Sequence, residues 1–563
     1  MTDAQLALPL LKEAPLTPLD VLRQGGGDEG ESVSLVRRAA GVFYTPRSIS
    51  DHLSTAVLAQ LVPQGRVRVC DPFAGDGRLV RWLIEHAAVA RVDIEWEVAL
   101  WDIHDEGLAA AVDAIEELRG NGHRIVDLEC WTGDSFARVA EGSDAPFDCV
   151  VTNPPWENLK PDTRDLEMMP EHKRDAYKKA LRATAAHLES LYPQAAATVK
   201  YGGWGTNLSR LGAEAAVRLL AEEGVLGIVL PVSVLADQAS DNLRGWLLTQ
   251  HSVVDIGYVP AEARPFASAD VGACTLTILR KASENIKPHV TMYDRSMDVV
   301  EAGPVELGRS DLADDGNLIP VGFGLEPVRL GRLMSHLPRF GDLETNACLD
   351  AAAPLWAGRE LDETRIGQHL NDTSGPLFVK GRMVQRFEIV ELPEARVLKP
   401  GWEPPASVNF ERVVWRDISR RSQCRRVIAT LVPPGWAAGN SLGVAYFKDG
   451  DSERLRLLLG LMSSLAFEVQ LRSKLATGHV TLASLRKVHI PEPSMEARWA
   501  PRMLAAVSGR LRGNEDDEVW VEALAAKAFG LDACQTEKLV DCFPRLASEY
   551  RREIVSRRRE LAD

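Results

Sequence analysis

The chain has 563 residues, 45% of them hydrophobic and 26% charged, with a formal net charge of −15. That is the composition of a globular protein with a substantial core and room for two or three domains. It excludes a helical membrane span, because no apolar run approaches about eighteen residues, and the first ten residues lack the basic-then-apolar pattern of a secretory signal.

In chain order, residues 1–40 read as a flexible arm with a Gly-rich, acidic patch. From residue 41 short apolar runs alternate with amphipathic stretches. Strands are expected at 66–71, 92–102, 124–131, 148–152, 224–231 and 274–279. Helices are expected at 78–88, 106–119 and 212–223. This alternation predicts an α/β fold with a Rossmann-like, parallel, doubly wound sheet, over residues 41–285. Residues 157–206 form a Lys-, Glu- and Ala-rich insertion expected to be helical. Residues 286–495 have broken periodicity and many Pro and Gly, and are expected to form an irregular α+β domain. Residues 496–563 read as a helical segment ending in a charge run that suits a solvated helix face. The eight cysteines include no Cys-x-x-Cys pair, and no His cluster has ligand spacing. No metal is expected, and reduced thiols suit a cytoplasmic protein.

The chemistry-bearing residues sit at the ends of the expected strands. Asp71-Pro72-Phe73-Ala74-Gly75-Asp76-Gly77 is a Gly-rich strand-to-helix turn. It has neither the dinucleotide spacing nor the Lys-Ser/Thr of a phosphate loop. An Asp at the strand end suits a ligand with a cationic amino group. Asp102, followed by Ile103, ends the next strand, where an acidic side chain can accept ribose hydroxyls. Asp134 and Phe136 follow the third, an Asp for an adenine amino group and a ring to pack on the base. Each alone also fits a turn or a helix cap.

The fourth motif, Asn153-Pro154-Pro155-Trp156, follows an apolar strand. An exocyclic amino nitrogen on a base is a poor nucleophile because its lone pair is delocalised into the ring. The Asn153 side-chain oxygen and the Pro154 carbonyl can both accept hydrogen bonds from that NH₂. Two prolines stiffen the loop so the acceptors are preorganised. Trp156 offers a flat face for a base removed from the stack. The plain structural alternative is a rigid Pro-Pro turn with a buried Trp.

In this order and combination the motifs resemble the gamma class of S-adenosylmethionine-dependent amino-methyltransferases of restriction–modification systems, over roughly residues 35–490. The resemblance implies S-adenosyl-L-methionine as cofactor and N6 of a flipped adenine in double-stranded DNA as acceptor. It places Tyr44, Thr45 and Pro46 in a first cofactor-contacting segment, ahead of Asp71, Phe73, Gly75, Gly77, Asp102, Ile103, Asp134 and Phe136. It likens 224–231 and 243–247 to later sheet strands, and makes Phe266 the second aromatic of the base pocket. It implies a target-recognition domain in 286–495, where Arg382, Arg386, Arg412, Arg416, Arg420 and Arg421 are the candidate DNA contacts. A separately encoded restriction endonuclease is the expected counterpart, since an arm of about 40 residues is short for a nuclease domain. Cytosine N4 poses the same chemical problem and stays open as acceptor. An RNA base or a protein glutamine fits less well, given nearly 280 residues after the catalytic segment. A relic fold that binds DNA without catalysis is the third reading.

Overall fold

The computed structural model describes residues 45–61, 65–162, 166–167, 170–200, 202–266, 271–283, 287–307, 318–345, 353–371, 373–392, 396–399, 403–419, 423–475 and 479–561. They fall into two compact units, the first closing at Ile319 and the second opening at Pro320.

The first unit is a nine-stranded sheet with helices. In chain order its elements are α1 (Arg47–Gln60), β1 (Arg66–Asp71), α2 (Arg78–Val89), β2 (Glu95–Asp102), α3 (Asp105–Gly120), β3 (Ile125–Thr132), α4 (Ser135–Glu141), β4 (Phe147–Thr152), α5 (Glu171–Leu191), α6 (Leu208–Arg218), β5 (Leu220–Pro231), α7 (Asp241–Gln250), β6 (Ser252–Val259), β7 (Ala273–Leu279), β8 (His289–Tyr293) and β9 (Val299–Pro304). The sheet order is β3-β2-β1-β4-β5-β7-β6-β8-β9, an α/β, Rossmann-like, doubly wound arrangement. Strand burial shows why both faces must be covered. On β5, Val225 and Val229 pack with α1, α2 and α3 in one core. Their neighbours Leu226, Ile228 and Leu230 point the other way and are also fully buried, as expected for strands sandwiched between helix layers. The periodicity of α2 follows the same logic. Leu79, Val80, Leu83, Ile84 and Ala87 are its buried stripe, and its charged residues lie outside it.

Three sequence expectations change. The sheet is mixed, because β7 runs antiparallel between β5 and β6. The described part of the 260–272 connection holds only a single turn, Ala261–Ala263. Without a packed crossover helix the chain folds back as a hairpin. Residues 243–247, likened to a strand, lie on α7, whose inward residues Leu243, Leu247 and Leu248 have helical spacing. The strand there is β6, which follows α7 directly at Ser252. Lastly, α6 and β5 begin earlier than expected, and β8 and β9 carry the sheet past residue 285.

The second unit contains α8 (Leu325–Leu333), β10 (Leu355–Gly358), β11 (Leu370–Asn371), β12 (Leu377–Val379), β13 (Val384–Gln385), β14 (Glu388–Ile389), β15 (Arg396–Leu398), β16 (Arg412–Arg416), β17 (Ala429–Val432), β18 (Ala437–Ala438), β19 (Leu442–Phe447), α9 (Ser452–Met462), α10 (Leu465–Lys474), α11 (Ala500–Leu511), α12 (Asp516–Ala528), α13 (Ala533–Asp541) and α14 (Ser548–Glu560). Its strands are short and make small sheets, the larger ones ordered β10-β19-β16-β17 and β11-β15-β12-β18. The C-terminal helices share one core with the first of these: Trp415 and Phe447 from the sheet join Phe467, Val507, Leu524 and Ile554 from α10, α11, α12 and α14. Residues 496–563 therefore belong to the body of this unit. Among the described residues no helix is long and apolar enough to cross a membrane.

Candidate active site

The strand order reverses at the middle of the large sheet: β1 leads to β2 and β3 on one side and to β4 and β5 on the other. Such a reversal opens a crevice beyond the carboxyl ends of the two central strands. Asp71 ends β1 and Thr152 ends β4, and the two touch. The Thr152 hydroxyl donates to Asp71 Oδ1 at 2.7 Å, and the Phe73 amide donates to the same oxygen at 3.0 Å. Asp71 is 1% exposed. Burial pushes its carboxyl up to about 7, although both hydrogen bonds pull the other way. A carboxyl poised there is stabilised in its ionised form by an arriving positive group.

The glycine turn is braced by the next strand. Ala74 N donates to the Trp101 carbonyl at 2.9 Å, and Gly75 N donates to Asp102 Oδ2 at 2.8 Å. Asp102 Oδ1 accepts from His104 N at 2.8 Å. The carboxylate stays half-exposed, and each oxygen has a second lone pair, so a ribose diol remains within its capacity. Ile103 beside it is 59% exposed, a large apolar side chain at the crevice. Gly77 adopts a left-handed φ of 71° at the start of α2. A Cβ there would lie 2.7 Å from Ala111 Cβ on α3, so the turn's tightness is required on two grounds.

At the third strand end the structural roles are more visible. Asp134 caps α4, accepting from Phe136 N at 2.9 Å and Ala137 N at 3.4 Å. Phe136 is enclosed in a row of rings, 5.1 Å from Phe73 and 5.7 Å from Tyr192 by centroid. The Tyr192 hydroxyl donates to the Phe136 carbonyl at 2.6 Å. Phe73 is the half-exposed end of that row.

The Asn153–Trp156 loop is held from three sides. Asn153 Nδ2 donates to Thr45 Oγ1 at 3.2 Å. The Thr45 carbonyl accepts from Arg78 Nη1 at 3.3 Å, so Thr45, 2% exposed, ties Asn153 to the start of α2. Pro46 is the cap of α1, and Tyr44 lies outside the described residues. Pro154 is buried against Gly212 of α6. A Cβ on Gly212 would meet Pro154 Cβ at 2.3 Å and Phe73 Cε2 at 3.3 Å. Pro155 and Trp156 are half-buried. Trp156 meets Phe266 edge-to-face, with centroids 4.7 Å apart and planes at 77°. The two aromatics named from the sequence are thus neighbours, and Phe266, 3% exposed, belongs to the buried core beside them.

Thr152, Asn207 and Gly212 complete the site and escaped the sequence reading. Asn207 Nδ2 donates to Asn158 Oδ1 at 3.0 Å and approaches the Trp156 carbonyl at 3.4 Å, while Asn207 Oδ1 caps α6 through Ser209 N at 2.9 Å. The available signal was the Asn-Leu-Ser helix start. For Gly212, nothing in the sequence reports a proline packed from a distant loop.

In the second unit the arginines divide sharply. Arg412 has no exposed surface: its Nε lies 3.0 Å from Glu360 Oε1, both side chains wholly enclosed. It also donates to the carbonyls of Ser407, Phe410 and Trp436. Arg386 donates to Glu518 at 2.7 Å and to the Ser463 carbonyl at 2.8 Å. These two are corrected from DNA contacts to internal ion-pair partners, since a duplex cannot reach a guanidinium already enclosed by carboxylate and carbonyl oxygens. Arg425, in the same run, is buried against Glu522. Arg416 is half-buried and donates to the Val384 carbonyl at 2.6 Å. Arg382 is exposed. Arg420 and Arg421 lie outside the described residues.

No protein-family profile and no curated protein matches the sequence. Among solved structures, the type IIG restriction endonuclease BpuSI is similar at 15% identity and a TM-score of 0.45, over 97% of this chain and 69% of that one. The DrdV–DNA complex is similar at 12% identity and 0.46, over 84% and 57%. The type I restriction–modification methyltransferase subunit from Streptococcus thermophilus is similar at 15% and 0.34, over 51% and 61%. At these similarities the functional reading rests on this chain's own residues.

Proposed function

We propose that the protein is a DNA methyltransferase that moves a methyl group from S-adenosyl-L-methionine to N6 of an adenine turned out of the duplex. One observation carries the reading: the Asn153–Trp156 loop is fastened to the Asp71–Gly77 turn, through Thr152 to Asp71 and through Thr45 to Arg78, at the sheet's switch point.

The residues present fit the cofactor. Asp71, buried and raised to about 7, suits its ammonium. Asp102 suits the ribose, Ile103 and Phe73 the adenine, and the Gly75 and Gly77 backbone allows close approach. Bound there, S-adenosylmethionine supplies an electrophilic methyl group on a sulfonium. The rest belongs to the chain. The Asn153 amide oxygen and the Pro154 carbonyl accept from the target NH₂, localise its lone pair and aim it, while Trp156 takes the base face. Stacking on Trp156 displaces part of the Phe266 contact, so the ring pair opens to admit the base. The leaving proton passes to solvent after transfer, because the methylated ammonium-like nitrogen is strongly acidic.

The second unit supplies target recognition, with Arg382 the described candidate for base or phosphate contact. A separately encoded endonuclease is the counterpart in a restriction–modification pair. The test is to incubate the protein with labelled S-adenosylmethionine and duplex DNA, RNA or protein extract, then digest the product to nucleosides. N6-methyladenine from DNA is the expected product. N4-methylcytosine would keep the loop chemistry and change the acceptor, and label in RNA or protein alone would overturn the DNA reading.

A further inference from the structure

Directly after Trp156 the chain leaves the catalytic loop, and it returns at Asn207. Leu159 N donates to the Thr206 carbonyl at 2.9 Å and Leu208 N to the Glu157 carbonyl at 2.8 Å, with Asn158 bridged antiparallel to Asn207. The excursion is therefore closed by a short stem at the rim of the site. Its main element is α5. Tyr177, Leu181, Ala185 and Leu188 form the buried stripe, at the spacing of one helix face. The carboxyl end is pinned where Tyr192 bonds Phe136, and Glu189 accepts from Thr206 Oγ1 at 2.7 Å.

One flank of the helix, beside that stripe, carries exposed positive charge. Residues 171–182 hold Lys173, Arg174, Lys178, Lys179 and Arg182 against only Glu171 and Asp175, in a chain with a net charge of −15. By contrast α3 carries five acids and one arginine. His172, Lys179 and Arg182 are exposed and Lys178 is half-exposed. Arg182 is steadied over the Trp204 ring, 5.0 Å from its centroid. Lys178 lies 4.0 Å from Asp175, itself 97% exposed, a pairing too loose and wet to neutralise it. From Lys178 to Arg182 the helix runs about 6 Å, matching about two base-pair steps.

Resting on the methyltransferase reading, we infer that the exposed face of α5 is a phosphate-contacting surface for duplex DNA, laid along the backbone beside the target base. Lys178, Lys179 and Arg182 neutralise phosphates and read no sequence. The stem fixes this cationic bar to the loop that holds the base, so gripping the flanking backbone also registers the duplex over Asn153.

The test is the salt dependence of binding to a labelled duplex, for wild type and for Lys178→Gln/Lys179→Gln/Arg182→Gln, with S-adenosylmethionine affinity measured alongside. The triple variant should bind DNA at least about tenfold more weakly, and the slope of log K against log salt should shrink by about 2 to 3. Cofactor affinity should stay unchanged. Lys179→Gln alone, at an exposed position, should shrink the slope by about one. An unchanged slope and affinity would overturn the inference, as would a wild-type preference for single-stranded RNA over duplex DNA. The two readings separate cleanly. Normal DNA methylation with an unchanged slope sinks only the α5 surface. Loss of slope in a protein that never methylates DNA sinks only the reaction.

Discussion

The strand ends of the first unit and the arginine run of the second contain the same kind of signal, clustered polar residues, yet they fold to opposite ends. Asp71, Asp102, Thr152 and Asn153 converge on one crevice because consecutive parallel strands all deliver their carboxyl ends to the same edge of the sheet. Arg412, Arg425 and Arg426 turn inward: Glu360 and Glu522 meet the first two, and the Arg426 guanidinium donates to the Ser419 carbonyl at 3.2 Å. A position at a strand end carries its own geometry. A count of arginines does not say which way they face, and a small irregular domain uses long cationic side chains to satisfy buried carbonyls as readily as to meet phosphate.

Substitutions in the two regions should differ in what they cost. The largest effect should come from Arg412→Ala, which leaves Glu360 buried without its partner and should cost about 3–5 kcal/mol in denaturant unfolding. A fully stable variant with weakened DNA binding would return Arg412 to the surface. Gly212→Ala comes next. Its new Cβ overlaps Pro154, and overpacking costs about 1–3 kcal/mol. If Pro154 is instead displaced, kcat should fall while cofactor affinity holds. An unchanged Tm and kcat together would deny that Pro154 rests there.

Asp71 gives a smaller, pH-dependent effect. Its carboxyl is raised to about 7 by burial, so between about pH 4 and 7 the folded protein keeps a proton that the unfolded chain has lost. Stability of the ligand-free protein from this group is therefore greatest at low pH and declines as pH rises toward 7. A cationic ligand needs the ionised form, so S-adenosylmethionine affinity should climb about tenfold per unit up to pH about 7 and then level off. Asp71→Asn should flatten that profile, and a flat profile in the wild type would remove Asp71 from the cofactor site. The smallest stability change belongs to Arg382→Ala, within about 0.5 kcal/mol, with the loss read in DNA affinity instead.

The order of strands β1 to β5 and the helical insertion were legible in the sequence, because periodicity and turn chemistry are local, whereas Phe266 was named through the family resemblance alone. The antiparallel β7 and the strand β6 were not. A buried apolar run such as Ser252–Val259 has no period to separate it from the helix before it, and strand direction is set by what the connection can span. At the site, Asp71, Gly77 and Asn153 were recognisable from their own motifs. Thr152, Asn207 and Gly212 matter through partners far along the chain. For Asp134 and Phe136 the local role, a helix cap and a buried ring, absorbs much of what the sequence assigned to a ligand.

In the proposed reaction Asn153, presented at the switch point, activates a base amino group and does not hold the cofactor. The direct measurement is single-turnover methyl transfer by Asn153→Ala on duplex DNA, paired with calorimetric binding of S-adenosylmethionine. The account predicts cofactor affinity within about twofold of wild type and a transfer rate lower by about a thousandfold. Wild-type transfer rates in that variant would contradict it.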